Sequence, residues 1–167
     1  MDEWQRRVDA VWEAASELGE RAVIERIDAL AAELPAGDPR GPFEAAGARD
    51  AAGLEQAAEP LYRRALELGL AGRPRVEAHI QLASTLRNLG RPAESLAVLD
   101  AVRDEAGDLA DAVAAFRALA LASSGAADAA ASVALIALAP HLAQYRRAVD
   151  AYARELGDGA AGVGTGG

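Results

Sequence analysis

Apolar residues recur along this chain at i, i+3, i+4 and i+7, the spacing of one face of an α-helix. Trp4, Val8, Val11, Trp12, Ala15 and Leu18 form one stripe over residues 3–18, and Val23, Ile24, Ile27, Leu30, Ala31 and Leu34 form a second over 21–34. Gly19 separates them. The same alternation predicts helices over 43–53 and 55–68, 75–89 and 92–105, 109–124 and 126–138. A single last helix is predicted from Pro140 to Leu156, with Leu142, Tyr145, Val149, Tyr152 and Leu156 as its apolar positions among polar ones. Pro60, Pro74 and Pro92 fall near predicted helix starts, where a missing N–H is tolerated. PAGDPRGP, residues 35–42, cannot continue a helix, but it is short enough to be a connector inside one domain.

The helices are also periodic as pairs. Gly19, Gly53, Gly90 and Gly125 follow one another at 34, 37 and 35 residues. Seven residues before each lie Trp12, Ala46, Ala83 and Ala118; five after lie Ile24, Ala58, Ser95 and Ala130; twelve after lie Ala31, Ala65, Val102 and Ala137. Three of the four hairpins carry small or apolar residues at these positions throughout. Such a period is the arithmetic of a helix–turn–helix solenoid, in which neighbouring hairpins bury each other's faces. The expected fold is all-α, about four helical hairpins plus a C-terminal capping helix. The whole is read as one domain over 1–156: a degenerate first hairpin at 1–34, three repeats over 40–139, the capping helix at 140–156, and a disordered glycine-rich tail at 157–167.

Composition sharpens this picture. Hydrophobic residues make up 51% of the 167, yet aromatics only 4%, the excess being alanine, which favours closely packed helices. The net charge of −9 opposes attraction to phosphate backbones and anionic lipid, so nucleic acid and membrane are not expected partners. All 17 basic residues are arginine, which excludes lysine Schiff-base chemistry, and the absence of cysteine excludes disulfides, thiolate catalysis and cysteine zinc sites. The N-terminal stretch lacks the apolar centre of a secretory signal, and the longest apolar run, Ala129 to Ala139, is too short to span a bilayer. A cytoplasmic location is the expectation.

The third hairpin, with Leu82, Ala83, Leu86, Gly90, Ser95, Leu99 and Val102 in register, resembles the tetratricopeptide repeat. The second adds Ala45, Ala46, Gly53, Ala58, Tyr62 and Ala65, and the fourth Ala118, Leu121, Gly125, Ala130, Ala134 and Ala137. Over residues 40–156 the chain is also similar to a bacterial domain family of that type with no assigned activity. The departures are Pro42, His79 and Ala114 where a bulky residue opens the first helix, and Arg49 and Arg117 at other signature positions. The resemblance implies a right-handed α–α superhelix whose first helices line a concave, peptide-binding groove. Carried over residue by residue, the groove positions are Phe43, Gly47 and Asp50, then Ile80, Gln81, Ser84, Arg87 and Asn88, then Ala115, Phe116, Leu119 and Ala122.

Gln81, Ser84 and Asn88 share a helix face, with Arg87 beside it, a donor set suited to a peptide backbone or terminal carboxylate. Equivalent positions of neighbouring repeats lie close together, so Asp50 is expected to face Arg87. The lysine clamp that grips chaperone tails in some relatives is ruled out, since the chain has no lysine. His79 and His141, the two histidines, share no helix and have no ligand partner at i+4, so no metal site is expected. The tail's Gly157, Gly159 and Gly162 spell G-x-G-x-x-G but follow a helix rather than a strand, so no nucleotide cofactor is expected. Nothing points to catalysis. The expected function is a non-enzymatic protein- or peptide-binding module. The alternative is a self-association module, with Leu135, Ile136 and Leu138 of the alanine-rich fourth hairpin and the last helix as a homodimer face.

Overall fold

The computed structural model describes residues 2–162, and side-chain surroundings for residues 2–159. Among the described residues there are ten α-helices and no strand: α1 (Glu3–Glu13), α2 (Ala15–Leu18), α3 (Glu20–Ala31), α4 (Arg40–Ala51), α5 (Glu55–Glu67), α6 (Gly72–Asn88), α7 (Pro92–Asp100), α8 (Ala110–Ser123), α9 (Ala127–Leu138) and α10 (Arg146–Gly162). They pack as consecutive hairpins, α1–α2 with α3, α4 with α5, α6 with α7, and α8 with α9, and α10 closes against α9. This is the all-α array of helical hairpins that the repeat spacing predicts.

The recurring glycines turn the corners. Gly53, Gly90 and Gly125 all have positive φ, at 67°, 77° and 81°. In each case the next residue's N–H reaches back five residues to a carbonyl, Leu54 to Arg49, Arg91 to Leu86 and Ala126 to Leu121, while the glycine N–H bonds three residues back. That is the Schellman cap, which ends a helix and satisfies two of its orphan carbonyls. Gly19 departs from it: its N–H bonds Ala15 O, and at φ 79°, ψ 157° it occupies a region open essentially to glycine alone.

Small residues then let the hairpins close. Ala46, Ala58, Ala65 and Ala83 are fully buried, and the Ser95 hydroxyl, also buried, donates to Ala83 O at 2.7 Å across the third hairpin. Tyr62 is the largest fully buried side chain, set among Ala46, Ala58, Ala65, Leu82 and Leu86. The first hairpin is joined to the second by polar ties. Asp28 accepts two 2.9 Å bonds from Arg49, and Arg40 bonds both Asp38 and Asp2 while stacking 5.0 Å from the Trp4 ring centroid. Trp4 Nε1 donates to Leu30 O at 2.8 Å and pins α1 to α3.

Several local expectations are corrected. The first helix is broken at Ala14, and α4 and α6 begin about a turn earlier than expected, with Pro42 and Pro74 in their first turns. Pro60 is not near a start: it is the sixth residue of α5, where it removes an intrahelical N–H. Pro140 does not open the last helix. It sits in a 3₁₀ turn, Ala139–His141, after which Leu142 is extended and Tyr145 has φ 65°, so the helix starts at Arg146. Residues 157–162 of the expected tail continue α10, and 163–167 lie outside the described residues. Gly157 has a packing reason to be glycine, since a Cβ there would lie 2.8 Å from Ser132 Oγ on α9.

Candidate functional site

A cavity of about 630 Å³ is walled by the first helices of three successive hairpins. From α4 come Phe43, Glu44, Gly47, Asp50 and Ala51; from α6 come Glu77, Gln81, Ser84 and Asn88; from α1 come Gln5, Asp9 and Trp12. Tyr62 of α5 is the floor. The wall positions repeat. Glu44 and Gln81 precede their hairpin glycine by nine residues, Gly47 and Ser84 by six, Ala51 and Asn88 by two. On α1 the register is one residue longer, with Asp9 and Trp12 ten and seven before Gly19, and the break at Ala14 lies between. Trp12 therefore does not join the buried column of Ala46 and Ala83. It projects into the cavity, where its ring lies 3.5 Å from the position a Gly47 Cβ would take.

The polar groups are arranged around carboxylates. Trp12 Nε1 donates to Glu44 Oε2 at 2.9 Å, and Gln5 Nε2 to Asp9 Oδ1 at 3.0 Å. Asp50 accepts from the Tyr62 hydroxyl at 3.4 Å, and the Thr85 hydroxyl stands 3.0 Å from both Asp50 Oδ1 and Gln81 O. Burial pushes the pKa of Glu44 up, reinforced by the neighbouring Asp9 and Glu77 charges and opposed by the Trp12 hydrogen bond. Burial raises Asp50 as well, against the bonds from Thr85 and Tyr62. Burial beside Asp50 also drives the Tyr62 hydroxyl far above its usual pKa, leaving it a donor. Arg73 pairs with Glu77 at 2.8 Å. Asp9, Glu44 and Asp50 have no cationic partner among the described residues, and no arginine or histidine lines the cavity.

Six of the twelve expected groove residues meet here: Phe43, Gly47, Asp50, Gln81, Ser84 and Asn88. The other six do not, Ala115 and Ala122 of α8 among them. Ile80 is buried with Ala83, Leu99, Val102 and Val113, and Phe116 packs against that cluster. Leu119 is 46% exposed on α8, away from the cavity. Arg87 donates to Asn88 Oδ1 at 2.9 Å, and its Nε is buried without an acceptor. The expected meeting of Asp50 and Arg87 does not occur, because Thr85 and Tyr62 take the Asp50 oxygens instead. With carboxylates in the wall and Arg87 outside it, the cavity is not built for a terminal carboxylate.

The residues missed from sequence are Gln5, Asp9, Trp12, Glu44, Ala51, Tyr62 and Glu77. Trp12 carried a signal, being the one large residue in a column of alanines.

His79 is buried, and its Nδ1–H donates to the Arg75 carbonyl at 2.7 Å; desolvation lowers its pKa. His141 lies 2.9 Å from Asp111 on the surface. Among the described residues no group of three potential ligands is placed to hold a metal ion, and no helix is long and apolar enough to cross a membrane. A second, more apolar cavity of about 430 Å³ lies between α8 and α9, lined by Val113, Val133 and Ile136 among others.

A family model described as tetratrico peptide repeat matches residues 39–156. No curated protein and no solved structure matches the chain.

Proposed function

The chain belongs to the tetratrico peptide repeat family, and from that membership we propose that it is a non-enzymatic module that takes a peptide segment of a partner protein into the groove walled by α1, α4 and α6. Repeats of this family generally mediate protein–protein interaction. The observation that carries the proposal is the concave cavity itself, large enough for several side chains and lined by the same positions of successive repeats. Phe43, Gly47, Asp50, Gln81, Ser84 and Asn88 are the proposed contact residues from α4 and α6; Gln5, Asp9, Trp12, Glu44 and Glu77 complete the walls. The net charge of −9 supports keeping nucleic acid out of the partner class.

Gly47 supplies the test. It is a helical glycine facing the cavity, so Gly47→Leu adds helix propensity while filling the space beside Trp12. Peptides captured from a random dodecapeptide library by the immobilised full chain should be lost with Gly47→Leu, whose melting temperature should not fall. Capture that survives the occlusion would remove the groove from the site.

A second reading, self-association, has an observation of its own. Five of the six large hydrophobic side chains that stand exposed among the described residues lie toward the C-terminal end: Leu119, Leu138, Tyr145, Tyr152 and Leu156. They lie outside the groove, so a homodimer formed there would leave it open.

A further inference from the structure

Resting on the groove reading above, we propose that the segment this groove selects is cationic, presenting an arginine or lysine side chain to Asp9 and Glu44 between the faces of Trp12 and Phe43. The first support is charge complementarity. Asp9, Glu44 and Asp50 line one cavity with no cation of the chain beside them, although arginines elsewhere are engaged in ion pairs, such as Arg49 with Asp28 and Arg91 with Glu59 and Glu94. Carboxylates drawn out of water without a counter-charge are unfavourable, and a guest cation removes that penalty.

The second support is an unanswered acceptor. Gln81 Oε1 is buried in the cavity wall and receives no hydrogen bond. A guanidinium or ammonium group carries only donors, so it matches a wall of carboxylates and a free amide oxygen, whereas a peptide carboxylate would meet acceptors on every side. The third is the aromatic lining. Ring faces attract cations, most strongly those of tryptophan, and Trp12 borders the cavity opposite Gly47, where no side chain covers it.

The test uses the full chain and pools of blocked random dodecapeptides, each pool with one fixed central residue: arginine, lysine, glutamine, leucine or glutamate. Capture is measured at about 0.15 M salt, where the Debye length of about 8 Å suppresses attraction to the overall negative charge. Three variants accompany the wild type: Asp9→Asn with Glu44→Gln, the occluding Gly47→Leu, and Asp104→Asn with Asp128→Asn as an equal loss of charge at exposed sites outside the groove. Thermal melts by circular dichroism confirm folding of each.

The wild type should enrich the arginine and lysine pools about tenfold over the glutamine pool, as one charge-assisted contact predicts. The Asp9/Glu44 pair of substitutions should abolish that preference and the Asp104/Asp128 pair should leave it intact. Equal loss in both double variants, or a preference that survives without Asp9 and Glu44, would overturn the cationic assignment. Enrichment of leucine or glutamate pools that Gly47→Leu removes would overturn it too, yet leave the groove reading standing. If no pool is enriched over Gly47→Leu, both fall together.

Discussion

At the scale of single residues, the groove holds its acids against their own solvation, and this makes a prediction about stability. Burial raises the pKa of Glu44 above the usual carboxylate range, so the folded chain binds that proton more readily than the unfolded one. The resulting penalty is fully present above the folded pKa and disappears as pH falls below the unfolded one. Glu44→Gln keeps an acceptor for Trp12 and carries no such penalty. The variant should therefore melt higher than wild type at pH 7, with the difference shrinking as pH approaches 4. Carboxylates bonded to arginines, such as Glu33 to Arg7, Asp38 to Arg40, Glu94 to Arg91 and Asp150 to Arg154, are shifted downward and lose stability at acid pH instead. Both proteins share them, so subtracting one melting profile from the other isolates Glu44; a difference that is constant or widens on acidification would contradict the burial argument. The same residues show what sequence could and could not reveal about the site. Gln81, Ser84 and Asn88 were legible because a helix face is fixed by spacing, and Gly47 and Asp50 because they repeat the frame. Asp9 and Trp12 were not, because a break at Ala14 shifts α1 by one residue, and spacing counted back from Gly19 runs through the break. Arg87 was misread because its neighbours, not its charge, decide where a guanidinium goes.

Among elements, the contrast between the middle hairpins and the last helix explains which boundaries a sequence can reveal. Gly53, Gly90 and Gly125 mark corners by a local rule: a Schellman cap needs a left-handed residue, and glycine supplies it without a Cβ penalty. The start of α10 obeys no such rule. Pro140 has a helix-starting look, but the chain spends it in a 3₁₀ turn and then extends through Leu142 before Tyr145 turns with φ 65°. The helical state of 157–162 is equally invisible locally, since glycine-rich sequence has poor propensity; contact with α9 overrides it. Gly157 is where that contact is closest, and a double-mutant cycle can read it. In a helix, alanine for glycine contributes roughly 0.5–1 kcal/mol. In wild type, however, the added Cβ would lie 2.8 Å from Ser132 Oγ, and Ser132 is buried. Gly157→Ala should therefore destabilise the chain by about 1–2 kcal/mol alone, as overpacked sites do. In a Ser132→Ala background the same change should be neutral or stabilising, a coupling of about 1 kcal/mol or more in urea denaturation. Additive effects would mean that α10 does not pack on α9 at this point.

For the molecule as a whole, the two ends of the described array carry different surfaces. At the N-terminal end α3 turns Glu20, Arg21 and Glu25 outward, with Arg21 paired to Glu25 at 2.8 Å. At the C-terminal end α10 presents Tyr152 and Leu156 at i, i+4 on one face, 64% and 38% exposed, with Leu138 and Tyr145 also bare on the preceding segment. A polar outer face keeps the end of an array soluble, so an exposed apolar one is a surface suited to burial, as against a second copy. Burial against a copy gives a closed twofold pair, in which each face covers its equivalent. Sedimentation equilibrium over about 1–200 µM decides it, bracketing the micromolar affinities of modest interfaces. Self-association through this end predicts a mass rising toward twice the 17.2 kDa chain, and Leu138→Arg with Tyr152→Arg should hold the chain at a single mass with little change in melting temperature, since these side chains are 47% and 64% exposed. The Gly47→Leu variant should associate as wild type does, because the groove on α1, α4 and α6 lies on other helices than this face. A wild-type mass that stays at 17.2 kDa across the range would eliminate the homodimer and leave the groove as the interaction surface under test.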